Sequence, residues 1–198
     1  MIRNLIFDLG GVVLGRNFDR FAAMLGDTFS FISGNDFPLY WSEFDRGIYS
    51  RQQVATMLAD DKHCTVAQAD EALEKLLLLL QEIPETKELL GELKRKGYKL
   101  YVLSNMSREF YEHISQFEVF SLFDGCVVSC YEHLNKPDER LYRTILERYS
   151  LVPSETLFSD DKQINTAAAE RLGIKTVTFT SVEEGIKQIN AILNGSNR

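Results

Sequence analysis

The side chains best suited to chemistry in this sequence follow short apolar runs. Asp8 comes directly after Leu5-Ile6-Phe7 and is followed by the glycine pair Gly10-Gly11. Such an apolar run predicts a buried strand, and glycines after it let the backbone approach a ligand closely. The segment therefore predicts a carboxylate at the end of a strand, facing an anion or a metal ion. Taken alone, it also fits an ordinary acidic turn between a strand and a loop.

Three later parts of the chain repeat this arrangement. The apolar runs at 99–103, 126–128 and 156–158 each precede polar side chains, which are Ser104 with Asn105, Lys136, and the pair Asp160-Asp161. The carboxyl ends of the strands in a right-handed parallel sheet lie along one edge. We therefore expect these side chains to converge with Asp8, although the sequence scatters them.

Such a group of side chains suits phosphoryl transfer. Carboxylates from separate strand ends form an oxygen-rich site for Mg²⁺, which usually also binds substrate phosphate. A lysine and a serine supply a positive charge and a hydroxyl donor for phosphate oxygens. A carboxylate can also act as a nucleophile and form an acyl phosphate, which divides hydrolysis into two easier steps. We expect Mg²⁺ as the cofactor and a small phosphorylated molecule as the substrate.

The elements that position these side chains follow from the hydrophobic pattern. From Pro84 onward, helix and strand patterns alternate, which predicts a parallel sheet flanked by helices. Residues 15–83 have helical spacing without strand-like runs, and the apolar positions in this stretch include Phe18, Phe21, Ala22, Leu25, Phe37, Tyr40, Trp41, Phe44, Val54 and Leu58. The prediction is an α/β fold, with a Rossmann-like core from 1–14 and 84–198 and an inserted helical cap from 15–83.

Composition excludes several other classes of protein. The net charge of -7 argues against nucleic-acid binding, which needs clustered lysine and arginine. The longest dense apolar run, Leu76 to Leu80, is too short to cross a membrane. The N-terminal residues lack the pattern of a secretory signal, and three cysteines without a CxxC pair suit a reducing compartment. We expect a cytoplasmic enzyme.

The order and spacing of these segments resemble the haloacid dehalogenase superfamily over nearly the whole chain. Four family motifs are matched by residues 7–12, by 103–105, by 135–138 with Tyr142, and by 158–161 with Asn165. The resemblance implies a Rossmann-like core, with Asp8 as the nucleophile and with Ser104 and Lys136 on the transferring phosphoryl group. The stretch after the first motif resembles the small helical cap of the phosphatase and phosphoglucomutase-like branch.

The resemblance also implies the ligands of the metal and the substrate. Mg²⁺ would be bound by Asp8, Asp161 and the backbone carbonyl of Gly10, with Asp160 close to the metal. The implied substrate-binding residues are Leu9, Gly10, Ser104, Asn105 and Lys136, and we add Arg46 because it precedes the capping-box pattern of Ser50 and Gln53. Arg46, Trp41 and Phe44 are candidates to face the site from the cap, and core packing is the alternative for each of them.

One position departs from the family pattern. Phosphatases of this family usually carry a second aspartate two residues after the nucleophile, and this chain has Gly10 there. General acid–base help is worth about 10²–10⁴ in rate, so we expect a slow enzyme, a good leaving group or a substitute acid. Relatives that resemble glucose 1-phosphate phosphatases share this Asp-Leu-Gly start. A sugar phosphate is therefore the expected substrate.

Two other functions compete with the phosphatase. In a hydrolytic dehalogenase the carboxylate attacks carbon without a metal, which would explain Gly10. However, it would leave Asp160 and Asp161 as an acid pair without a cation, at an electrostatic cost. The other alternative is a binding or regulatory protein on an impaired phosphatase scaffold, and the retention of Asp8, Lys136 and both acids argues against it.

Overall fold

The structure is a computed structural model that describes residues 1–16 and 38–195. In chain order its strands are β1 (Asn4–Phe7), β2 (Leu14–Arg16), β3 (Leu80–Glu82), β4 (Lys99–Ser104), β5 (Gly125–Val128), β6 (Thr156–Asp160) and β7 (Lys175–Thr178). Five of them form one sheet in the order β5-β4-β1-β6-β7, and every neighbouring pair is parallel. The predicted α/β fold class is confirmed.

Helices cover both faces of this sheet. The helices are α1 (Leu39–Asp45), α2 (Arg51–Lys62), α3 (Val66–Leu79), α4 (Pro84–Arg95), α5 (Arg108–Ile114), α6 (Ser129–Glu132), α7 (Glu139–Arg148), α8 (Gln163–Arg171) and α9 (Val182–Gly195). Side chains alternate between the faces of a strand. Leu5 and Phe7 accordingly pack with α4 and α9, while Ile6 packs with α7 and α8. The central strand is therefore buried on both sides, as in other parallel sheets.

Strand register brings the ends of three strands together. Phe7, the last residue of β1, lies opposite Val102 on β4 and Ser159 on β6. The backbone N–H of Asp8 then donates to the Ser159 carbonyl over 2.8 Å. Asp8 is thereby held at the edge of the sheet, between the strands that end at Ser104 and Asp160.

Helices α1–α3 pack around an apolar cluster of their own. Val54 and Leu58 on α2 lie against Leu73 and Leu76 on α3 in this cluster. The Ser50 side chain accepts from the backbone N–H of Gln53, so the predicted capping box is present at the start of α2. The aromatic and aliphatic spacing in this part of the chain is therefore satisfied by packing between helices.

The segment between 15 and 83 also differs from its prediction. Strands β2 and β3 pair antiparallel, with Leu14 opposite Glu82, whereas the sequence showed no strand-like run there. Each strand has only three residues, which is too short for an alternating pattern to be visible. The predicted positions Phe18, Phe21, Ala22, Leu25 and Phe37 lie outside the described residues. The domain boundaries at 15 and 83 remain a prediction.

The described helices give no sign of a membrane span. None of those within 1–16 and 38–195 combines the length and the apolar character that crossing a bilayer requires.

Candidate active site

One oxygen of Asp8 is fixed by three donors. Its Oδ1 accepts from the backbone N–H of Leu9 over 2.7 Å and from Ser104 Oγ over 2.8 Å, and it lies 2.9 Å from Lys136 Nζ. Within the described part of the chain, no hydrogen bond reaches Oδ2. Burial raises the pKa of the Asp8 carboxyl; Lys136 opposes this effect and Asp160 adds to it. The carboxylate is therefore oriented through one oxygen, while the other is available for chemistry.

Lys136 is buried between two carboxylates. Its Nζ lies 2.6 Å from Asp160 Oδ2 and donates to the Leu103 carbonyl over 2.9 Å, in addition to its contact with Asp8. Burial works to lower the pKa of the Lys136 ammonium, but the charges of Asp8 and Asp160 outweigh it and raise that pKa. Lys136 is therefore held as a cation at the carboxyl ends of β1 and β6.

Removal of the Lys136 charge should destabilise the fold. Lys136→Met keeps the length of the side chain but leaves Asp8 and Asp160 buried without a cation, so we expect a loss of about 3–5 kcal/mol in the free energy of unfolding. Chemical denaturation in EDTA measures this loss. Lys99→Met is the matched control, because Lys99 pairs with Asp124 at the surface and its loss should change little. Equal losses for the two variants would contradict the role of the buried charge.

Both oxygens of Asp160 are occupied by protein donors. Oδ1 accepts from the backbone N–H of Lys162 and from Asn165 Nδ2, and Oδ2 accepts from Lys136 and from the same amide. The Asn165 carbonyl in turn accepts from the buried hydroxyl of Tyr142. Asp160 is therefore part of a hydrogen-bond network that fixes the position of the Lys136 ammonium.

Asp161 differs from Asp160 in having an unsatisfied carboxylate. It is half-buried, and among the residues that the structure describes no hydrogen bond or ion pair reaches its oxygens. Burial, together with the negative charges of Asp8 and Asp160, raises the pKa of the Asp161 carboxyl to about 6. Lys162 and Lys136 oppose this rise without outweighing it, so negative charge is concentrated around Asp161.

This arrangement fits a divalent cation. Asp8, Asp160 and Asp161 each offer one carboxylate oxygen, and these three oxygens lie within 4.8 Å of one another. Hard oxygen donors in such a group suit Mg²⁺, and a bound cation would relieve the repulsion that raises the pKa of Asp161. Since both oxygens of Asp160 already accept hydrogen bonds, Asp8 and Asp161 are the better direct ligands.

Gly11 leaves room for the Asp161 carboxylate. Its φ is +73°, and a Cβ placed on it would lie 3.1 Å from Asp161 Oδ2. At Gly10, by contrast, a Cβ would meet nothing within 4 Å, and the backbone does not have a positive φ. The two glycines therefore have different structural roles. Only at Gly11 do the positive φ and the close approach of Asp161 require a residue without a side chain.

A side chain at Gly11 should weaken metal binding. We expect Gly11→Ala to lower the affinity for Mg²⁺ about tenfold, since displacement of groups around a ligand typically costs 10–100-fold. Titration calorimetry with Mg²⁺ measures the change. Gly97→Ala is the matched control: its φ is +86° but a Cβ there meets nothing within 4 Å. Equal affinities in the two variants would show that Gly11 does not act through Asp161.

Asn105 joins two loops that carry the site. Its Nδ2 donates to the Lys136 carbonyl over 3.0 Å, and its Oδ1 accepts from the Lys136 backbone N–H over 2.8 Å. This reciprocal pair fixes the loop after β4 to the loop that contains Lys136. Asn105 and Ser104 both also line the cavity above Asp8.

That cavity has a volume of about 530 Å³ and lies between the sheet edge and helices α1 and α3. Its lining includes Asp8, Gly10, Ser104, Asn105, Lys136 and Asp161 from the predicted site. Trp41 and Phe110 lie on its wall, whereas Phe44 is buried in the apolar cluster of α1–α3. The structure therefore brings most of the predicted side chains to one cavity.

Arg46 is not brought to this cavity. Its Nε donates to the His133 carbonyl over 3.0 Å, and its Nη1 pairs with Glu43 over 2.8 Å. The Arg46 carbonyl also lies 2.9 Å from His133 Nδ1. Its side chain therefore holds the end of α1 against the segment before Lys136, which is a structural contact away from the phosphate-binding groups.

Sequence reasoning missed several residues around the site. Asn165 was matched to a motif but not assigned a role, although its amide binds both oxygens of Asp160. Asn135 donates to the carbonyl and hydroxyl oxygens of Ser42 over 2.8 and 2.9 Å, which joins α1 to the Lys136 loop. Asn165 could have been found from its spacing, because it falls in the first turn of α8, directly after the Asp160-Asp161 pair. The partner of Asn135 is distant in sequence and had no local signal.

Several curated proteins are similar to this chain. It is 27% identical to sesquiterpene phosphatase astK of Aspergillus oryzae over 177 residues, which cover 88% of each protein. It is 25% identical to D-ribitol-5-phosphate phosphatase of Bacteroides thetaiotaomicron over 210 residues, which cover 98% of this chain and all of that protein. It is also 34% identical over 118 residues to acyl-CoA dehydrogenase family member 10 of Mus musculus, and this match spans only 11% of that longer protein.

Solved structures agree with these similarities. A HAD-like family hydrolase from Porphyromonas gingivalis superimposes with a TM-score of 0.75 at 28% identity, covering 98% of both chains. A HAD family enzyme from Bacteroides thetaiotaomicron, in complex with magnesium and inorganic phosphate, gives a TM-score of 0.70 at 25% identity, covering 90% of this chain and 94% of the other.

The sequence profile of one family covers most of the chain. The profile described as haloacid dehalogenase-like hydrolase matches residues 26–179. This range contains the second, third and fourth motifs of the predicted site, and Asp8 lies before it. The chain belongs to the haloacid dehalogenase-like hydrolase family.

Proposed function

We propose that this protein is a Mg²⁺-dependent phosphatase that hydrolyses a small phosphate monoester through an aspartyl phosphate on Asp8. The observation that carries the proposal is the pairing of an oriented Asp8 carboxylate with an unsatisfied Asp161 at the floor of one cavity. The relatives named as phosphatases support the same reaction class.

The reaction would proceed in two displacements at phosphorus. One carboxylate oxygen of Asp8 attacks the phosphorus atom, and the bond to the oxygen of the leaving alcohol breaks; that oxygen takes up a proton from solvent water. A water molecule then attacks the same phosphorus atom and gives up its proton to solvent, the bond between phosphorus and Asp8 breaks, and inorganic phosphate leaves with the carboxylate restored. Each step keeps the attacking and leaving oxygens roughly in line.

The other side chains would orient and stabilise the phosphoryl group. Lys136 Nζ and Ser104 Oγ both contact Asp8 Oδ1, so they lie where donors to phosphoryl oxygens are needed. Such preorganised charges contribute most to this kind of catalysis. The backbone N–H of Gly10 would complete the binding of the phosphate. The Leu9 N–H and the Asn105 side chain, both expected from the sequence to bind substrate, are engaged with Asp8 and with the Lys136 backbone and would position those residues instead.

Mg²⁺ would be held by Asp8, Asp161 and the backbone carbonyl of Gly10. When bound, the ion neutralises charge on the phosphoryl oxygens. Asp160 would lie near the ion and contact it through water, while its carboxylate holds the Lys136 ammonium in place. This distribution uses the two carboxylates differently: Asp161 has oxygens available for a metal, whereas those of Asp160 are occupied.

Two classes of organic group remain for the substrate. A sugar phosphate was expected from the sequence, and the similarity to D-ribitol-5-phosphate phosphatase supports it. The similarity to sesquiterpene phosphatase astK supports an apolar alcohol instead. Both would present the same phosphate to Asp8 and Lys136. The choice between the two classes depends on the residues that line the walls of the cavity above them.

Removal of the metal tests the reaction class. With p-nitrophenyl phosphate as substrate, we expect phosphate release in Mg²⁺, loss of release in EDTA, and recovery when Mg²⁺ is added in excess. Incubation with a 2-haloacid should release no halide under any of these conditions. Halide release that survives EDTA would favour the dehalogenase, and a metal-replete protein inactive on every ester would favour a binding role.

A further inference from the structure

We infer that the substrate carries an apolar organic group beside its phosphate, so that the site takes the monophosphate of an apolar alcohol and not of a sugar or polyol. The inference rests on the proposed phosphatase function and concerns the part of the substrate that the phosphate-binding residues do not contact. It follows from the distribution of polar and apolar side chains over the walls of the cavity.

The described walls of the cavity above the phosphate site carry a large apolar surface. Beyond the polar floor at Asp8, the apolar side chains of the lining include Leu39, Trp41, Leu76, Leu80, Met106 and Phe110. They come from α1, α3, β3, α5 and the segment between β4 and α5, so the apolar surface surrounds the cavity from several directions. The polar residues of the same lining include Ser42, Asp45, Ser107, Asn135 and Lys162. A ligand that extends away from the phosphate therefore meets hydrocarbon and aromatic surface.

Aromatic packing fixes part of this wall. The rings of Trp41 and Phe110 lie 6.2 Å apart at 77°, an edge-to-face arrangement. Phe44 packs against both of them from behind, at 5.7 Å from Trp41 and 6.2 Å from Phe110. The wall is therefore a preformed apolar surface.

Most polar groups on the same wall are already engaged or are covered, and Lys162, the residue after Asp161, is the exposed charged group of the described lining. The Ser42 carbonyl and hydroxyl oxygens accept from Asn135, and Asp45 has an interaction of its own. Ser107 Oγ and Asn135 Oδ1 have no hydrogen-bond partner among the residues that the structure describes, but both atoms are covered from solvent. The Asn135 amide cannot be reversed without turning its oxygen towards the Ser42 carbonyl. A substrate hydroxyl would reach these two atoms only by displacing their neighbours.

The two substrate classes differ strongly in such a cavity. The hydroxyl groups of a sugar would lose water and find few partners on the described walls, and each unpaired polar group is costly when buried. An alkyl or prenyl group would instead bury apolar surface against Trp41 and Met106, which is favourable. The same cavity that binds the phosphate therefore selects for an apolar alcohol.

A pair of primary alkyl phosphates tests the inference. We would measure kcat/KM in Mg²⁺ for n-octyl phosphate and for D-ribitol 5-phosphate, whose leaving groups are both primary alcohols, with p-nitrophenyl phosphate as a third substrate. We expect n-octyl phosphate to be preferred by about tenfold or more, the range that apolar contacts supply. Equal or greater activity on D-ribitol 5-phosphate would overturn the inference alone. Inactivity on all three esters would overturn the proposed phosphatase function and the inference with it.

A variant pair tests whether the wall causes the preference. Met106→Gln keeps the length of the side chain but adds a polar amide to the wall, and it should reduce the preference for n-octyl phosphate about tenfold. Leu78→Gln is the control, because Leu78 is exposed on α3 and does not line the cavity; it should leave the preference unchanged. A preference that is unaffected by Met106→Gln, in a variant with unchanged thermal unfolding, would contradict the assignment of the wall.

Discussion

Replacement of Asp8 by asparagine should abolish phosphate release while the fold remains intact. The amide oxygen of an asparagine can still accept from Leu9 N–H, Ser104 and Lys136, so the orientation of the side chain is preserved. The amide is nevertheless a very poor nucleophile, and loss of a covalent nucleophile lowers kcat by about 10⁴ or more. Steady-state release of phosphate from p-nitrophenyl phosphate in Mg²⁺ measures the effect.

The matched control for this variant is Asp60→Asn. Asp60 is an exposed aspartate near the end of α2, and it does not line the cavity. We expect it to retain full activity. Near-normal activity of Asp8→Asn would contradict covalent catalysis by Asp8, whereas loss of activity in both variants would indicate that the fold, and not the nucleophile, had been affected.

Introduction of an aspartate at Gly10 should accelerate hydrolysis. Gly10 lies two residues after Asp8, the backbone there does not have a positive φ, and a Cβ would meet nothing within 4 Å. The position therefore accepts a side chain that can protonate the leaving alcohol and later activate water. General acid–base catalysis of this kind supplies about 10²–10⁴ in rate, so we expect a rise of about 10² with alkyl phosphates.

Leaving-group dependence separates this effect from a change in binding. The p-nitrophenolate ion leaves without a proton, so Gly10→Asp should raise its release less than that of an alkyl alcohol. Gly10→Asn has the same size and cannot transfer a proton, so it should give no rise in kcat. If the aspartate and asparagine variants behaved alike, proton transfer would not be the function that Gly10 lacks.

The sheet was predictable from sequence because each strand carries its own signal. The buried run at 5–7 and the runs at 99–103 and 156–158 are apolar and are followed by polar residues, so their ends could be placed within one or two residues. Parallel topology then requires those ends to share an edge. This is why Asp8, Ser104 and the Asp160-Asp161 pair could be expected at one place from the sequence.

Contacts between distant elements could not be predicted in this way. Arg46 was expected to bind substrate because of its position before a helix, but its side chain pairs with Glu43 and the His133 carbonyl. The orientation of a surface arginine depends on neighbours from other parts of the chain, and no local pattern encodes them. The β2–β3 pair was missed for a similar reason. Each strand has three residues, too few for a visible alternating pattern, so each is recognised only by its pairing with the other.

The two adjacent acids were distinguished only through the family resemblance. It implied that Asp161 binds the metal and that Asp160 lies close to the metal, but the residues themselves gave no physical reason for the difference. The structure separates them: Asp160 is buried and accepts from Lys136 and Asn165, while Asp161 faces the cavity. Alternation of side chains at a strand end accounts for this difference, and the partners of Asp160 on the neighbouring loops supply its physical reason.

The most direct test of covalent catalysis by Asp8 is detection of the phosphoryl group on that residue. The enzyme would be mixed with an excess of p-nitrophenyl phosphate in Mg²⁺, quenched in acid within one turnover, digested and analysed by mass spectrometry. Because Gly10 offers no base for the attacking water, the intermediate should accumulate. The account predicts a phosphorylated peptide that contains Asp8, present in Mg²⁺ and absent in EDTA. Rapid phosphate release without any phosphoryl group on that peptide would contradict it.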